Sequence, residues 1–155
     1  MKYQISKATS GDLPLMQRLF YQTVTMYGAK LFTKDEVKMY SKLAINTKYW
    51  EQKFLYDLVY NAKLNGEVIG SFSLTKEGFI EYIFVHQNYQ GKGIANSLYK
   101  ALENAAKESG LVRLTTRVNS STGTFFKKNG FEVVKEIKKV AGGEEVVHIV
   151  GTKEI

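Results

Sequence analysis

The chain contains no cysteine, and its single proline is Pro14. The first absence excludes disulfides, thiolate metal sites and cysteine nucleophiles. No internal repeat, low-complexity tract or Pro/Gly/Ser-rich stretch marks a linker. No apolar run approaches the ~18 residues that span a bilayer, which argues against a membrane partner. No run of five or more Lys/Arg marks a nucleic-acid tail, and no aromatic-basic recognition motif occurs, so no nucleic acid is expected. The opening MKYQISKATSGD lacks the apolar core of a secretory signal, and the cytoplasm is the expected compartment. Two separated histidines without cysteine form no zinc pattern, so no metal is expected. His86 reads as a satisfied surface residue and His148 as a strand residue without a chemical role.

What is present is ordinary for a folded domain. The 155 residues, 44% hydrophobic and 24% charged, fit one domain over 1–155. A chain of this size can bury roughly 70% of the surface it exposes when unfolded. The net charge of +7 favours anionic partners, a polyphosphate among them, but the basic residues are scattered.

Periodicity gives the order of elements. Tyr3–Ser6 alternates as a half-buried strand does. Ser10-Gly11-Asp12 offers caps for a helix with Pro14 in its first turn, Leu15, Leu19, Thr23 and Met26 on its face, and Gly28 as its stop. Residues 33–56 predict one or two further helices, opened by a Thr33/Glu36 capping box. This segment is rich in aromatics (Phe32, Tyr40, Tyr49, Trp50, Phe54, Tyr56), mostly core, some of them candidate walls of an acceptor pocket. Leu58–Leu64 and Glu67–Leu74 read as a hairpin about Asn65-Gly66. Lys76-Glu77-Gly78 then turns the chain into Phe79–Val85, a strand apolar on both faces: Phe79, Ile83 and Val85 on one, Ile80, Tyr82 and Phe84 on the other. Glu81 interrupts it. A helix over 94–109, a strand over 111–118, a short helix over 121–129 and two strands about Gly142-Gly143 complete a mixed α/β layer domain.

The chemistry lies where a strand is followed by Gln90-Gly91-Lys92-Gly93-Ile94-Ala95 and then a helix. N–H groups at a helix start lack an intrahelical acceptor, and the helix dipole adds partial positive charge there. Gly91 and Gly93 let those groups approach an anion closely, and Gln90 and Lys92 add a donor and a counter-charge. The natural guest is a phosphate or pyrophosphate. A Rossmann fingerprint would need glycine where Asn96 stands, and a P-loop would need Ser or Thr where Gly93 stands.

These residues resemble the GNAT superfamily of N-acetyltransferases, whose Gln/Arg-x-x-Gly-x-Gly/Ala signature is filled by Gln90, Gly93 and Ala95. A second element of that family, Asn followed at fixed spacing by an aromatic and Gly-Phe, is matched by Asn119, Phe126, Gly130 and Phe131. The order of elements agrees over essentially the whole chain, the N-terminal third only in outline. The resemblance implies a central, mostly antiparallel sheet of about seven strands with helices on both faces. It implies acetyl-CoA as cosubstrate, with Ile83, Phe84 and Val85 offering backbone groups to the pantetheine arm. The turn Gln90–Ala95 would hold the pyrophosphate, and Asn119 and Phe126 would flank the thioester. Asn119 also suits a turn cap, a compatible role.

An amine must lose its proton before attacking a thioester. Glu81 is the candidate base, a carboxylate expected to be desolvated in its apolar strand. Many GNAT members carry a proton-donating tyrosine where Phe126 stands, and phenylalanine cannot serve. A thiolate with a pKa near ~8.5 can leave without an acid, and a backbone N–H of the cofactor strand can stabilise the oxyanion. The expected acceptor is an amine on a small molecule or a protein, and a homodimer remains open. The rival reading is a non-catalytic acyl-CoA-binding or sensor domain on the same scaffold.

Overall fold

The computed structural model describes residues 2–141 and 143–155; Gly142, half of the expected last turn, lies outside them. The chain forms β1 (Gln4–Lys7), α1 (Leu13–Leu31), α2 (Lys34–Ala44), α3 (Thr47–Tyr56), β2 (Leu58–Leu64), β3 (Glu67–Leu74) and β4 (Phe79–Val85). There follow α4 (Ile94–Glu108), β5 (Arg113–Asn119), α5 (Ser120–Lys128), β6 (Glu132–Ala141) and β7 (Glu144–Glu154). The seven strands lie in the order β1-β2-β3-β4-β5-β7-β6. Neighbours run antiparallel except β4 and β5, which run parallel with α4 as their crossover.

Local chemistry explains the boundaries. The Asp12 carboxylate accepts the Thr9 N–H at 3.0 Å and Pro14 follows in the first turn of α1. Thr33 and Glu36 exchange N–H bonds, each at 3.2 Å, to open α2, and Asn46 accepts the Tyr49 N–H at 3.1 Å to open α3. Asn65 and Gly66, at φ 51° and 79°, supply the two left-handed positions of the β2–β3 turn.

Two sequence expectations for α1 fail. Gly28 does not end the helix, which continues to Leu31. A Cβ there would stand 3.1 Å from Val37 Cγ2, so this glycine serves the close approach of α1 and α2. The buried stripe is Met16, Leu19, Phe20 and Val24, whereas Met26 is exposed. The helix is rotated from the expected face because Phe20 must reach Trp50, Tyr82 and Phe84 in an edge-to-face cluster.

Helices α1–α3 cover one face of the sheet over a core that includes Phe20, Val24, Trp50, Val59 and Tyr82. The other core, with Phe72, Ile80, Leu98, Leu114, Phe126 and Ile149, includes residues of α4 and α5. Strand β4 serves both cores through a β-bulge. Phe72 pairs with Ile83 and Leu74 with Ile80, so Glu81 and Tyr82 together oppose Ser73. The Tyr82 N–H donates to Ser73 Oγ at 3.1 Å. The extra residue reverses the alternation expected for this strand. Ile80 joins Ile83 and Val85 on the α4 face, and Tyr82 and Phe84 face α1.

β4 and β5 are paired only at Phe79–Thr115 and Ile80–Thr116 before they part. Gly78 clamps the closed end of this wedge. It sits at φ 91°, its carbonyl accepts the Thr115 N–H at 2.9 Å, and a Cβ would lie 2.4 Å from the Arg113 carbonyl oxygen. Gly78→Ala is therefore expected to cost about 2–3 kcal/mol, read as a lower denaturant midpoint at unchanged m-value. An unchanged midpoint would show that β5 can shift without loss.

Candidate active site

The site begins where strand pairing ends. Beyond Ile80 and Thr116 the facing edges of β4 and β5 have no strand partner, and the two strands open a cleft of about 880 Å³. Its walls include Phe79, Glu81, Tyr82, Ile83, Phe84 and Val85 from β4 and Arg117, Val118 and Asn119 from β5. Helices α1 and α2 close one side with Phe20, Thr23, Tyr27, Glu36 and Tyr40, while Phe32 stands between them. Unpaired backbone edges require hydrogen-bonding partners, and an extended chain carrying amides supplies them as an added strand would.

A cradle for anions adjoins the mouth. After β4, His86 Nδ1 accepts the Asn88 N–H at 3.1 Å and caps the turn Gln87–Tyr89, the surface role expected of it. Gln90 lines the cleft and donates through Nε2 to the Val85 carbonyl at 2.8 Å, tying the turn to the end of β4. Gly91 and Gly93 adopt φ 72° and 79°, which glycine enters without strain. The first bond of α4 is Ser97 N–H to Gly93 O at 3.1 Å, leaving the N–H groups of Ile94, Ala95 and Asn96 ahead of it. Nothing lies within 4 Å of a Cβ built on Gly91, so the turn is open to a ligand. Lys92 is exposed beside it, and the Ile94 side chain is buried, so only its backbone can meet an anion. Gly70 lets α4 sit close on β3: a Cβ there would lie 3.0 Å from Leu98 Cδ1 and 3.1 Å from Ile94 Cγ2. These donors fit a pyrophosphate.

Glu81 stands in the bulge with 34% of its side-chain surface exposed, not desolvated as its sequence neighbours suggested. The bulge turns it out of the strand's apolar alternation. Lys53 binds its Oε2 at 2.7 Å, also pairs with Asp57, and lies 4.7 Å from the centre of the Tyr82 ring. Burial alone would lower the Lys53 pKa, but its bonds to Asp57 and Glu81 prevail and raise it, so the ammonium persists. Lys53 fixes the carboxylate in place, while Glu81 still lines the cleft. Beneath it the Tyr49 and Tyr82 hydroxyls are hydrogen-bonded, and burial and that contact push the Tyr82 hydroxyl far up. Tyr82 is a fixed wall, not an acid at neutral pH.

Glu36 is a different carboxylate. Oε1 accepts the Thr33 N–H, and Oε2 faces Lys139 Nζ at 3.5 Å. Burial alone would raise its pKa, but the Thr33 bonds, Lys139 and His148 hold it below the ordinary range. A carboxylate so held is a weak base. Tyr40 beside it is pushed up by burial and Glu36, with Arg117 acting in the opposite sense.

The cleft brings together Glu81, Ile83, Phe84, Val85, Gln90 and Asn119. Asn119 Oδ1 accepts the Ser121 N–H at 2.9 Å, the cap role that its position suggested. Phe126 is not brought there. It is fully buried among Tyr99, Phe125 and Phe131, its ring in the core and not on the cleft lining. The sequence reading missed Arg117, although it shares a strand face with Asn119 two residues on, a spacing of period two. His148, read from the sequence as a strand residue without a chemical role, lies in β7, buried at the cleft wall opposite Asn119. That position depends on a register no local pattern shows.

Residues 29–147 match the family model of the acetyltransferase (GNAT) domain. The chain is 26% identical to the uncharacterized N-acetyltransferase YafP of Escherichia coli (strain K12) over 133 residues, covering 86% of this chain and 83% of that protein. Its fold is similar to a GCN5-related N-acetyltransferase from Rhodopseudomonas palustris, with a TM-score of 0.84, 21% identity, and 100% and 97% of the two chains covered. It is also similar to the PaiA N-acetyltransferase of Thermoplasma acidophilum, solved in complex with coenzyme A, at a TM-score of 0.79 and 17% identity over the full length of both chains.

Proposed function

Because this chain belongs to the GNAT acetyltransferase family and is an acyltransferase, we propose that it moves an acetyl group from acetyl-CoA to a primary amine by direct attack in a ternary complex. The observation that carries the reading is the parting of β4 and β5 beside the open N-terminus of α4. The pyrophosphate rests on the N–H groups of Ile94–Asn96 in the turn Gln90–Ala95, with Lys92 as counter-charge. The pantetheine amides pair with the free edge of β4 at Ile83–Val85, and the thioester comes to lie near Asn119. The amine enters from the side of α1 and α2, and Glu81 takes its proton. A β4 N–H stabilises the oxyanion, and the thiolate leaves without an acid from Phe126. No helix among the described residues is long and apolar enough to cross a membrane.

The reading is tested by free-thiol release from acetyl-CoA over a panel of amines. Amine-dependent release with stoichiometric acetylated product is the expected result. Tight CoA binding without release on any amine would instead make the chain a binding or sensor domain.

A further inference from the structure

The Glu, Arg and Lys side chains that line the cleft are Glu36, Glu81, Arg117 and Lys139. Three are already engaged. Glu36 holds the Thr33 N–H and faces Lys139, and Glu81 is bound by Lys53. Arg117 forms no ion pair or hydrogen bond among the described residues. Lys139 offsets Glu36 and Lys53 is shared between Asp57 and Glu81, so Arg117 is the one of the four without a direct charged partner among the described residues.

Its position is specific. β4 and β5 are in register at Phe79–Thr115 and Ile80–Thr116. One further step would set Glu81 opposite Arg117, but the bulge and the parting of the strands hold them on either side of the opening instead. A base and a free guanidinium thus flank the mouth where an amine must meet the thioester. A polycationic acceptor would be repelled by Arg117, while a carboxylate can accept two parallel N–H bonds from it.

We propose that the natural acceptor is a small amine that also carries a carboxylate, gripped by Arg117 while its nitrogen faces Glu81. The proposal rests on the acetyl-transfer reading. The nitrogen forms its bond to the acetyl carbon as the C–S bond breaks. Glu81 takes the ammonium proton before attack, the electron pair leaves on sulfur as thiolate, and the second proton shed by the nitrogen as the amide forms passes to that thiolate through solvent.

The test compares an amino acid, its carboxamide and the matching amine without the carboxyl group, by thiol release from acetyl-CoA. The carboxylate form should exceed both others in kcat/KM by about 10–10²-fold. Arg117→Met should collapse that ratio towards one, mainly by raising KM for the carboxylate form. Arg117→Lys should restore part of it, because an ammonium cannot make the two parallel bonds. Equal use of the three substrates by the parent, or an undiminished ratio in Arg117→Met, overturns the proposal. If no amine turns over, equilibrium dialysis against the CoA-loaded protein decides. Retention of the amino acid over its carboxamide, lost in Arg117→Met, supports the carboxylate site while the transfer reading fails; equal retention overturns the site as well.

Discussion

Glu81→Gln is expected to lower turnover by about 10²-fold or more near neutral pH while leaving CoA binding nearly unchanged. A lysine-like amine with a pKa of ~10.4 is neutral at roughly one part in a few thousand at pH 7, and a positioned base is typically worth about 10²–10⁴. The two magnitudes match. The substitution keeps the shape of the side chain, and Lys53 retains both its Asp57 partner and an amide oxygen to bind. The fold should therefore survive. The deficit should shrink as pH rises, because the free amine then supplies itself. A variant equal to the parent at every pH would make Glu81 a structural partner of Lys53 and nothing more. Glu36, the other carboxylate at the cleft, is held below its ordinary range and is already engaged by Thr33 and Lys139, so it is the weaker candidate.

Gly93→Val should abolish the rise in melting temperature that CoA produces and weaken its binding by about 10²-fold or more, the scale of losing one to two charge-assisted hydrogen bonds. Gly93 caps α4 at φ 79°, a conformation that is a genuine outlier for a β-branched residue. Valine would pull the turn into another conformation and withdraw the N–H groups of Ile94, Ala95 and Asn96. The strain itself costs roughly 1–3 kcal/mol, so the apo melting point falls as well. Lys92→Glu is the companion variant. It leaves the backbone alone and should weaken CoA binding by charge repulsion in a salt-dependent way. Both variants binding CoA as the parent does would place the pyrophosphate elsewhere.

Much of this was legible in the chain because the signals are local. The Asn65-Gly66 hairpin, the Thr33/Glu36 box and the glycine turn before α4 each depend on a few adjacent residues. Their geometry follows from left-handed backbone or from N–H groups at a helix start. What escaped depends on partners distant in sequence. Gly28 reads as a stop until Val37 is seen packed against it. The bulge at Glu81 and Tyr82 is set by pairing with Ser73, and strict alternation places Ile80 on the wrong face. Lys53 lies 28 residues from Glu81, and only the packing of α3 beneath β4 joins them. Phe126 matched the family pattern in position, but its ring is committed to a cluster with Tyr99, Phe125 and Phe131. Arg117 was within reach of a period-two reading from Asn119. Its importance appears only when the cleft's other charges are seen to be paired.

The proposed transfer requires acetyl-CoA in the wedge between β4 and β5, with its pyrophosphate on the first turn of α4. A crystal structure of the protein grown with acetyl-CoA tests it most directly. Pyrophosphate oxygens are expected within hydrogen-bond distance of the N–H groups of Ile94, Ala95 or Asn96, and pantetheine amides paired with β4 between Ile83 and Val85. The thioester carbon should lie between Glu81 and Asn119. Acetyl-CoA bound elsewhere, with β4 and β5 closed on each other beyond Ile80 and Thr116, would contradict it.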